Sequence, residues 1–381
     1  MIVGLFTELL SIGGIQQVGR LTAKALDEIA LRYGWNADFL SLNDPPSAQS
    51  FPSEKKLIAF RGFGCAKVSF TLAGLQRAWK GARIVVAGHP NLALPASWMR
   101  LLERDLKTIV LSHGVEVWKP LSRARRQALL CADLVLAPSH YTAARLIKVQ
   151  GIPAEQVRIL AWPLSPDFLR LADVPAGHPL PPAFPQGRIV LTVGRWSASE
   201  RYKGADDLID AVAQLRGTFP DLHLVAVGQG DDLPRLQKLA AACGVTGCIH
   251  FLENLSREEL AACYARADVF ALPSTGEGFG LVFLEAMAFA KPVVGIACGG
   301  ITDVVEDGIN GLLVPPGDTV VLAQSLGRLL SDELLCAKLG ACGAVTVRRK
   351  YQFSVFQSEL ENILGELDFG LGQERTAREN V

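Results

Sequence analysis

The chain is built from short apolar segments that alternate with longer helical patterns. In its first part the candidate strands are residues 2–6, 38–42, 57–61, 83–87, 108–111, 134–137 and 157–161. The clearest helical patterns between them are residues 15–31 and 139–149. Short, continuously apolar strands separated by helices are typical of a parallel sheet that is buried on both faces.

A second series of the same kind follows a proline-rich stretch, because residues 163–187 hold seven of the 21 prolines. Its candidate strands are 189–193, 222–227, 249–252, 269–272, 292–296 and 311–314, and its helical patterns are 204–215, 233–242, 257–266, 281–290 and 319–330. We therefore predict an α/β protein of two Rossmann-like, doubly wound domains. The predicted segments are a first domain 1–165, a linker 166–187, a second domain 188–351, a last helix 352–367 and a polar tail 368–381. Ligands of such sheets bind at the carboxyl ends of strands, so we expect a site in a cleft between the domains.

Composition sets limits on the class of protein. Apolar residues make up 49 % of the chain and charged residues 20 %, which is enough for a core in each half. No apolar run approaches the ~18 residues of a membrane span, and the first residues are typical of a strand rather than a signal peptide. The eight cysteines show no metal-ligand spacing, so we expect small, buried, reduced thiols in a reducing, cytoplasmic compartment.

Charge is distributed unevenly although the net charge is zero. Residues 1–165 carry 20 Lys/Arg against 11 Asp/Glu, and residues 166–381 carry 18 against 27. The segment 119–126 contains Arg123, Arg125 and Arg126. It could bind an anionic membrane surface at the inner membrane face, or it could be a solvated helix face. We expect no nucleic-acid partner.

A glycine-rich turn at residues 274–280 lies between a predicted strand and a predicted helix. Gly278 and Gly280 would let a ligand approach the backbone, and the first amides of the helix would suit a phosphate. Glu277 and Glu285 lie on either side of the helix start. A carboxylate accepts hydrogen bonds only, so sugar hydroxyls are its logical partners. The alternative is that these acids only complement the helix dipole.

Two cations lie in the loop between another strand and the helix that follows it. Arg195 comes just after strand 189–193, and Lys203 comes just before the helical pattern 204–215. Together they could neutralise a diphosphate and stabilise its charge as it departs, or they could be ordinary surface charges. Gly13 and Gly14 follow the first strand, and His113 lies at the end of a strand. A phosphate or sugar contact and a simple tight turn are both open for these three residues.

Taken together and in order, these motifs resemble one family. The pattern from Pro273 to Ala288, with Glu277 and Glu285 eight positions apart, resembles the E-x7-E signature of retaining family-4 glycosyltransferases. The accompanying motifs stand in the family's order: Gly13-Gly14, His113-Gly114, Gly194-Arg195, Lys203-Gly204, Gly299-Gly300 and Asn310-Gly311. The resemblance spans Gly13 to about Asp318, and it implies a GT-B fold whose last helix returns to the first domain.

The resemblance also implies roles. Arg195 and Lys203 would bind the donor diphosphate, Glu277 and His113 the transferred sugar, and Glu285 the ribose hydroxyls. The remaining donor-binding residues would be Gly14, Gly278, Phe279, Gly280, Leu281 and Val282. The reaction would retain the anomeric configuration, need no metal or other cofactor, and use a nucleotide sugar, with UDP or GDP as the expected nucleotide.

Three points stay open at the level of sequence. Where the family often has Pro-Glu after Gly299-Gly300, this chain has Thr302-Asp303, which leaves the donor sugar undefined. The acceptor could be a glycan, a lipid-linked molecule or a small molecule. The rival functions are a nucleotide-sugar epimerase, a sugar phosphorylase or a catalytically silent protein that binds nucleotide sugars.

Overall fold

A computed structural model describes residues 1–53, 56–174 and 177–367. The chain divides into two compact units, each described here by itself. The first unit comprises Met1–Pro163 and the chain from Phe353 onward, and the second comprises Leu164–Gln352.

The first unit contains an eight-stranded sheet. Its strands are β1 (Ile2–Phe6), β2 (Ala37–Ser41), β3 (Ala48–Pro52), β4 (Leu57–Gly62), β5 (Ile84–Ala87), β6 (Lys107–Leu111), β7 (Leu134–Ala137) and β8 (Val157–Ile159). Their order is β3-β4-β2-β1-β5-β6-β7-β8. The predicted parallel sheet is confirmed, with one departure at its edge, where β3 is antiparallel to β4. The sequence did not indicate β3 because it is mostly exposed and has no apolar run.

The helices of this unit lie in the connections between successive strands. They are α1 (Gly14–Arg32), α2 (Lys67–Trp79), α3 (Ala93–Leu102), α4 (Val115–Trp118), α5 (Arg123–Leu130) and α6 (His140–Arg145). The helix predicted over 139–149 is instead α6 followed by a π-helical turn, Leu146–Gln150. Buried side chains of β1, β5, β6 and β7, including Leu5, Val85, Val110 and Val135, form the core.

The second unit contains a six-stranded parallel sheet. Its strands are β9 (Arg188–Val193), β10 (Leu222–Val227), β11 (Ile249–Leu252), β12 (Val269–Leu272), β13 (Val293–Ile296) and β14 (Leu312–Val314). The order β11-β10-β9-β12-β13-β14 is the Rossmann order 3-2-1-4-5-6. The strand order reverses between β9 and β12, and ligands of such sheets bind at the carboxyl ends of strands beside this reversal.

The helices of the second unit are α7 (Pro166–Asp173), α8 (Ala205–Leu215), α9 (Leu233–Ala242), α10 (Arg257–Arg266), α11 (Leu281–Ala288), α12 (Ile301–Val304), α13 (Thr319–Ser331) and α14 (Glu333–Lys350). Helix α7 lies inside the segment predicted as a linker. Its Pro166 stands in the first turn, where proline is tolerated. Helix α14 was not predicted, because Gly340 and Gly343 interrupt its apolar pattern. A Cβ at Gly340 would lie 2.0 Å from the carbonyl oxygen of Ala290, so this glycine permits close packing.

The last helix, α15 (Phe353–Leu367), belongs to the first unit and packs against α1. The ammonium of Lys24 lies 4.4 Å from the centre of the Phe353 ring. The hydroxyl of Tyr33 donates to Glu361 at 2.9 Å. Apolar and polar contacts therefore both hold α15 on α1. The predicted tail, residues 368–381, lies outside the described residues.

Candidate functional site

The loops that follow β9 and β12 touch each other at the strand-order reversal of the second unit. Gly204 ends the first loop with φ +73°, and a Cβ there would lie 2.4 Å from the carbonyl oxygen of Pro273. The amide of Thr275 donates to the carbonyl of Tyr202 at 2.8 Å. A glycine is therefore required at Gly204, both for its backbone conformation and for the approach of the two loops.

This contact brings together two residues that the sequence predicted for the donor site. The ammonium of Lys203 lies 3.0 Å from Oε1 of Glu277. Their side chains are only 15 % and 17 % exposed. The structure thus places a cation and a carboxylate, 74 positions apart in sequence, in one partly enclosed pair.

Arg195 lies on the same loop as Lys203, but its guanidinium forms an ion pair with Glu200. Its side chain is 71 % exposed, whereas Glu200 is 13 % exposed. The hydrogen bond to Glu200 raises the pKa of Arg195, so the guanidinium is charged at every practical pH. Glu200 was not predicted from the sequence, although its position between two predicted phosphate-binding cations indicates an ion-pair partner.

The glycine-rich turn leads into α11, whose first residues are Leu281 and Val282. Gly280 is the N-cap residue with φ +96°, and no side chain of the described chain caps the helix. The first amides of an α-helix have no partner within the helix and carry its positive dipole end. This helix start therefore offers N–H donors to an anion.

The turn itself is fixed by backbone and ring contacts. The amide of Gly300 donates to the carbonyl of Glu277 at 2.8 Å, and a Cβ on Gly300 would lie 2.0 Å from the carbonyl oxygen of Gly278. Phe279 is buried and makes an edge contact with Tyr351 at 5.7 Å. The side chain of Phe279, which the resemblance assigned to the donor site, therefore anchors the turn in the core.

Glu285 lies in the second turn of α11, and its Oε2 accepts a hydrogen bond from the Tyr264 hydroxyl at 2.8 Å. Burial raises the pKa of Glu285 to about 7. The Tyr264 hydrogen bond and the charge of Arg257 act in the opposite direction and favour the carboxylate. Tyr264 was missed by the sequence analysis, because a tyrosine within a helix has no signal that separates it from a core residue.

In the first unit, Gly14 is the first residue of α1. The loop before it is held by Asp44, which is buried. The Asp44 carboxylate accepts hydrogen bonds from the amide of Leu9 at 2.7 Å and from the hydroxyl of Ser41 at 2.6 Å. The position of this glycine loop therefore depends on a residue that follows β2.

His113 follows β6, and its Nε2 lies 2.8 Å from the carbonyl oxygen of Gly88, the residue that follows β5. Oε1 of Glu116 accepts a hydrogen bond from the backbone amide of His113 at 2.5 Å. The ring stacks on His89 with centroids 5.7 Å apart. Burial lowers the pKa of both imidazoles, that of His89 to about 4. Both rings are therefore neutral near pH 7. His89 was not predicted, although it lies just after β5, at the kind of strand end where ligands of parallel sheets bind.

Residues 1–53, 56–174 and 177–367 contain no group of three or more His, Cys, Asp or Glu side chains that could hold a metal ion. Over the same part of the chain, every helix is too short or too polar to cross a membrane.

Two Rossmann-like units, one with a lysine–carboxylate pair beside a helix start at its strand-order reversal, agree with the predicted GT-B class of glycosyltransferases. Residues 181–344 match the model of the glycosyl transferases group 1, and residues 12–167 match that of glycosyltransferase family 4. The chain is 32 % identical over 302 residues to a GDP-mannose-dependent alpha-(1-6)-phosphatidylinositol monomannoside mannosyltransferase of Mycolicibacterium smegmatis, covering 76 % of each protein. The chain therefore belongs to the group 1, family-4 glycosyltransferases.

Other similarities agree with this assignment. The chain is 40 % identical over 190 residues to a D-inositol 3-phosphate glycosyltransferase of Salinispora tropica, which is 48 % of this chain and 39 % of that relative's length. The structure of Anabaena HepE in complex with UDP superposes with a TM-score of 0.73 at 19 % identity, covering 96 % of this chain and 99 % of HepE. At this level of identity, the likeness to HepE confirms the predicted GT-B fold and nothing more specific.

Proposed function

We propose that this glycosyltransferase moves a hexose-type sugar from a nucleoside diphosphate sugar to an acceptor hydroxyl, with retention and without a metal. The observation that carries the proposal is the Lys203–Glu277 pair at 3.0 Å on two touching loops of the second unit. A cation beside a carboxylate provides one group for a phosphate and one for sugar hydroxyls. The name of one relative supports a nucleotide donor, since that mannosyltransferase is GDP-mannose-dependent.

Each predicted residue has a proposed role. Lys203 and Arg195 neutralise the diphosphate, and Arg195 is exposed enough to turn from Glu200 toward a ligand. The amides of Gly280, Leu281 and Val282 bind the distal phosphate. Glu277 and Glu285 accept hydrogen bonds from the sugar and the ribose. In the first unit, Gly14 and His113 contact the phosphates and the transferred sugar.

In the transfer step, the acceptor oxygen forms a bond to the anomeric carbon while the bond from that carbon to the β-phosphate oxygen breaks. The acceptor proton passes to the departing phosphate, and the nucleoside diphosphate leaves. The positive charges of Lys203 and Arg195 stabilise the negative charge that develops on the phosphate. Glu277 orients the sugar rather than attacking it.

A thermal-shift screen of UDP-, GDP-, ADP- and dTDP-sugars tests the donor assignment, because a bound donor raises the melting temperature by mass action. Turnover of Arg195→Ala and Lys203→Ala then tests the two cations, and wild-type rates in both would contradict their role. NMR of the product gives the anomeric configuration, and an inverted product would refute retention. Loss of activity with a chelator, restored by a divalent cation, would refute metal independence.

The rival activities give different products in the same assays. An epimerase converts the donor without an acceptor, and a phosphorylase requires inorganic phosphate. Donor binding without turnover on any acceptor would indicate a silent binding protein.

For the acceptor, we propose a glycan, a lipid-linked molecule or a small molecule, with peripheral contact to an anionic membrane. Arg123 and Arg125 are exposed on α5, which packs beside α3 with its exposed Trp98 and Leu101. Arg126 donates to the carbonyl of Gln150 at 2.5 Å, so Arg123 and Arg125 are the two arginines that we propose contact lipid. Arg123→Glu/Arg125→Glu should lose sedimentation with anionic liposomes at low salt. Equal sedimentation of the variant and the wild type would refute this contact.

A further inference from the structure

Tyr264 lies on α10 with its side chain completely buried, and its hydroxyl contacts the carboxylate of Glu285 on α11. The donated hydrogen bond to Oε2 is 2.8 Å long, and the carbonyl oxygen of Val282 lies 3.5 Å from the same hydroxyl. A buried phenol normally finds one hydrogen-bond partner, and here that partner is a residue of the proposed donor site. This contact lies entirely within the second unit.

Ring packing fixes the position of this hydroxyl. The Tyr264 ring stacks on Phe289 with centroids 5.9 Å apart at an interplanar angle of 11°. Phe168 of α7 makes a perpendicular contact at 5.8 Å, and Phe270 of β12 lies 5.9 Å away. Three rings on different elements therefore fix the position of the phenol oxygen. Of its two acceptors, Oε2 of Glu285 at 2.8 Å is nearer than the Val282 carbonyl oxygen at 3.5 Å.

The contact occupies one of the two carboxylate oxygens. An ionised carboxylate accepts hydrogen bonds at both oxygens, so Oε1 of Glu285 is left for a ligand when Tyr264 holds Oε2. Burial disfavours the ionised form of Glu285, and the hydroxyl of Tyr264 favours it. The same hydrogen bond therefore orients Glu285 and partly offsets the effect of burial on its pKa.

We propose that Tyr264 is a positioning residue of the donor site, whose hydroxyl holds Oε2 of Glu285 so that the second oxygen is turned to accept a hydrogen bond from a ribose hydroxyl. The inference rests on the proposed function, because it deepens the role of Glu285 toward the nucleotide sugar. It adds a residue that does not itself touch the ligand but acts through Glu285.

The charged groups around Glu285 are few. Arg257, on the same helix as Tyr264, favours ionisation of Glu285 through its charge. Arg257 in turn lies 3.5 Å from Asp167 of α7, and both side chains are more than half exposed. Helix α14 presents Gly343 toward Met287 of α11, and Lys203 is paired with Glu277. Tyr264 is therefore the one hydroxyl among the described residues that donates to this carboxylate.

The test is the pH dependence of donor binding in Tyr264→Phe, measured by calorimetry from pH 5.5 to 9 with UDP-glucose and GDP-mannose. The diphosphate of a nucleotide sugar does not titrate in this range, and the uracil and guanine bases begin to lose a proton only at its upper end, so the protein supplies the pH dependence around neutral pH. In the wild type, affinity should rise with pH as Glu285 ionises, with a midpoint near pH 7. In Tyr264→Phe, the midpoint should move up by about one pH unit, and affinity at pH 7 should fall about five- to tenfold.

Two further variants separate this role from general damage to the fold. Tyr351→Phe is the matched control, since it also removes a buried hydroxyl, one that donates to the carbonyl of Asp303 at 3.0 Å. It should keep the wild-type midpoint even if it melts at a lower temperature. Glu285→Gln should bind donor weakly at every pH, and adding Tyr264→Phe to it should change the affinity less than twofold.

The outcomes distinguish the inference from the proposed function. If the wild type binds neither nucleotide sugar, the proposed function fails and this inference fails with it. If Glu285→Gln weakens binding but Tyr264→Phe keeps the wild-type affinity and midpoint, only the positioning role of Tyr264 is refuted. If Tyr351→Phe shifts the midpoint as far as Tyr264→Phe does, the effect is structural and the inference is again overturned.

Discussion

Replacing Glu277 by glutamine should affect nucleotide binding and sugar transfer in opposite directions. The carboxylate of Glu277 lies 3.0 Å from the ammonium of Lys203, which we propose as a ligand of the donor diphosphate. A diphosphate must compete with Glu277 for that ammonium. Glutamine removes the competing charge but keeps nearly the same size, so free UDP or GDP should bind more tightly while sugar transfer is lost.

The size of each effect follows from the geometry. Exposed ion pairs contribute about 0.2–1 kcal/mol, and this pair is mostly enclosed, which places it near the upper limit, at about 1 kcal/mol. Removing that competition should strengthen binding of the free nucleoside diphosphate about fivefold. Loss of the group that orients the transferred sugar should lower turnover by about 10²-fold.

Calorimetry with UDP and GDP and steady-state turnover with the matching nucleotide sugar measure the two effects. Glu258→Gln is the control, because this glutamate is exposed on the first turn of α10 and should leave both quantities unchanged. Lys203→Met should weaken free nucleotide and lower turnover together. A parallel loss of nucleotide affinity in Glu277→Gln would refute the competition between carboxylate and phosphate.

Three further predictions concern the residues that hold the site. Asp44→Ala removes a buried carboxylate that accepts backbone and hydroxyl hydrogen bonds, and urea denaturation should show a loss of about 3 kcal/mol; a loss below 1 kcal/mol would contradict its role in the glycine loop. Gly204→Ala places a Cβ 2.4 Å from the carbonyl oxygen of Pro273, so donor affinity should fall at least about tenfold by calorimetry, and an unchanged affinity would show that the two loops can separate harmlessly. The pKa of Glu285 is raised from 4.5 to about 7, so the folded state binds more protons than the unfolded state between these values, and stability falls as pH rises through that window. At pH 8 the free energy of unfolding of Glu285→Gln, measured by urea denaturation, should therefore exceed that of the wild type by up to about 3 kcal/mol. A difference that does not change with pH would contradict the raised pKa.

Much of the fold could be predicted from local patterns. Strands β10, β11 and β12 coincide with the predicted segments 222–227, 249–252 and 269–272, because each is a short apolar run bounded by turn residues. Helices α9 and α10 coincide with the predicted segments 233–242 and 257–266, because their apolar residues recur at helical spacing. The two-domain α/β class follows from this alternation.

Errors occurred where local pattern and tertiary environment disagree. The edge strand β3 has exposed polar residues and is held by pairing with β4, so its sequence alone is typical of a loop. Helix α7 lies among prolines, yet Phe168 packs against Tyr264 and Phe289 and stabilises it. Helix α14 contains glycines that suit close packing rather than helix propensity.

The sequence by itself determined where chemistry-bearing residues stand along the chain, namely at strand ends and helix starts, because those positions follow from local periodicity and glycine-rich turns. Only the tertiary structure decided which of them meet. The Lys203–Glu277 and Tyr264–Glu285 contacts join residues 74 and 21 positions apart. The adjacency of β9 and β12 in the sheet brings the loops of the first pair together, and the packing of both α10 and α11 against α7 accompanies the second contact. Such contacts depend on sheet order and side-chain packing, which no local pattern specifies.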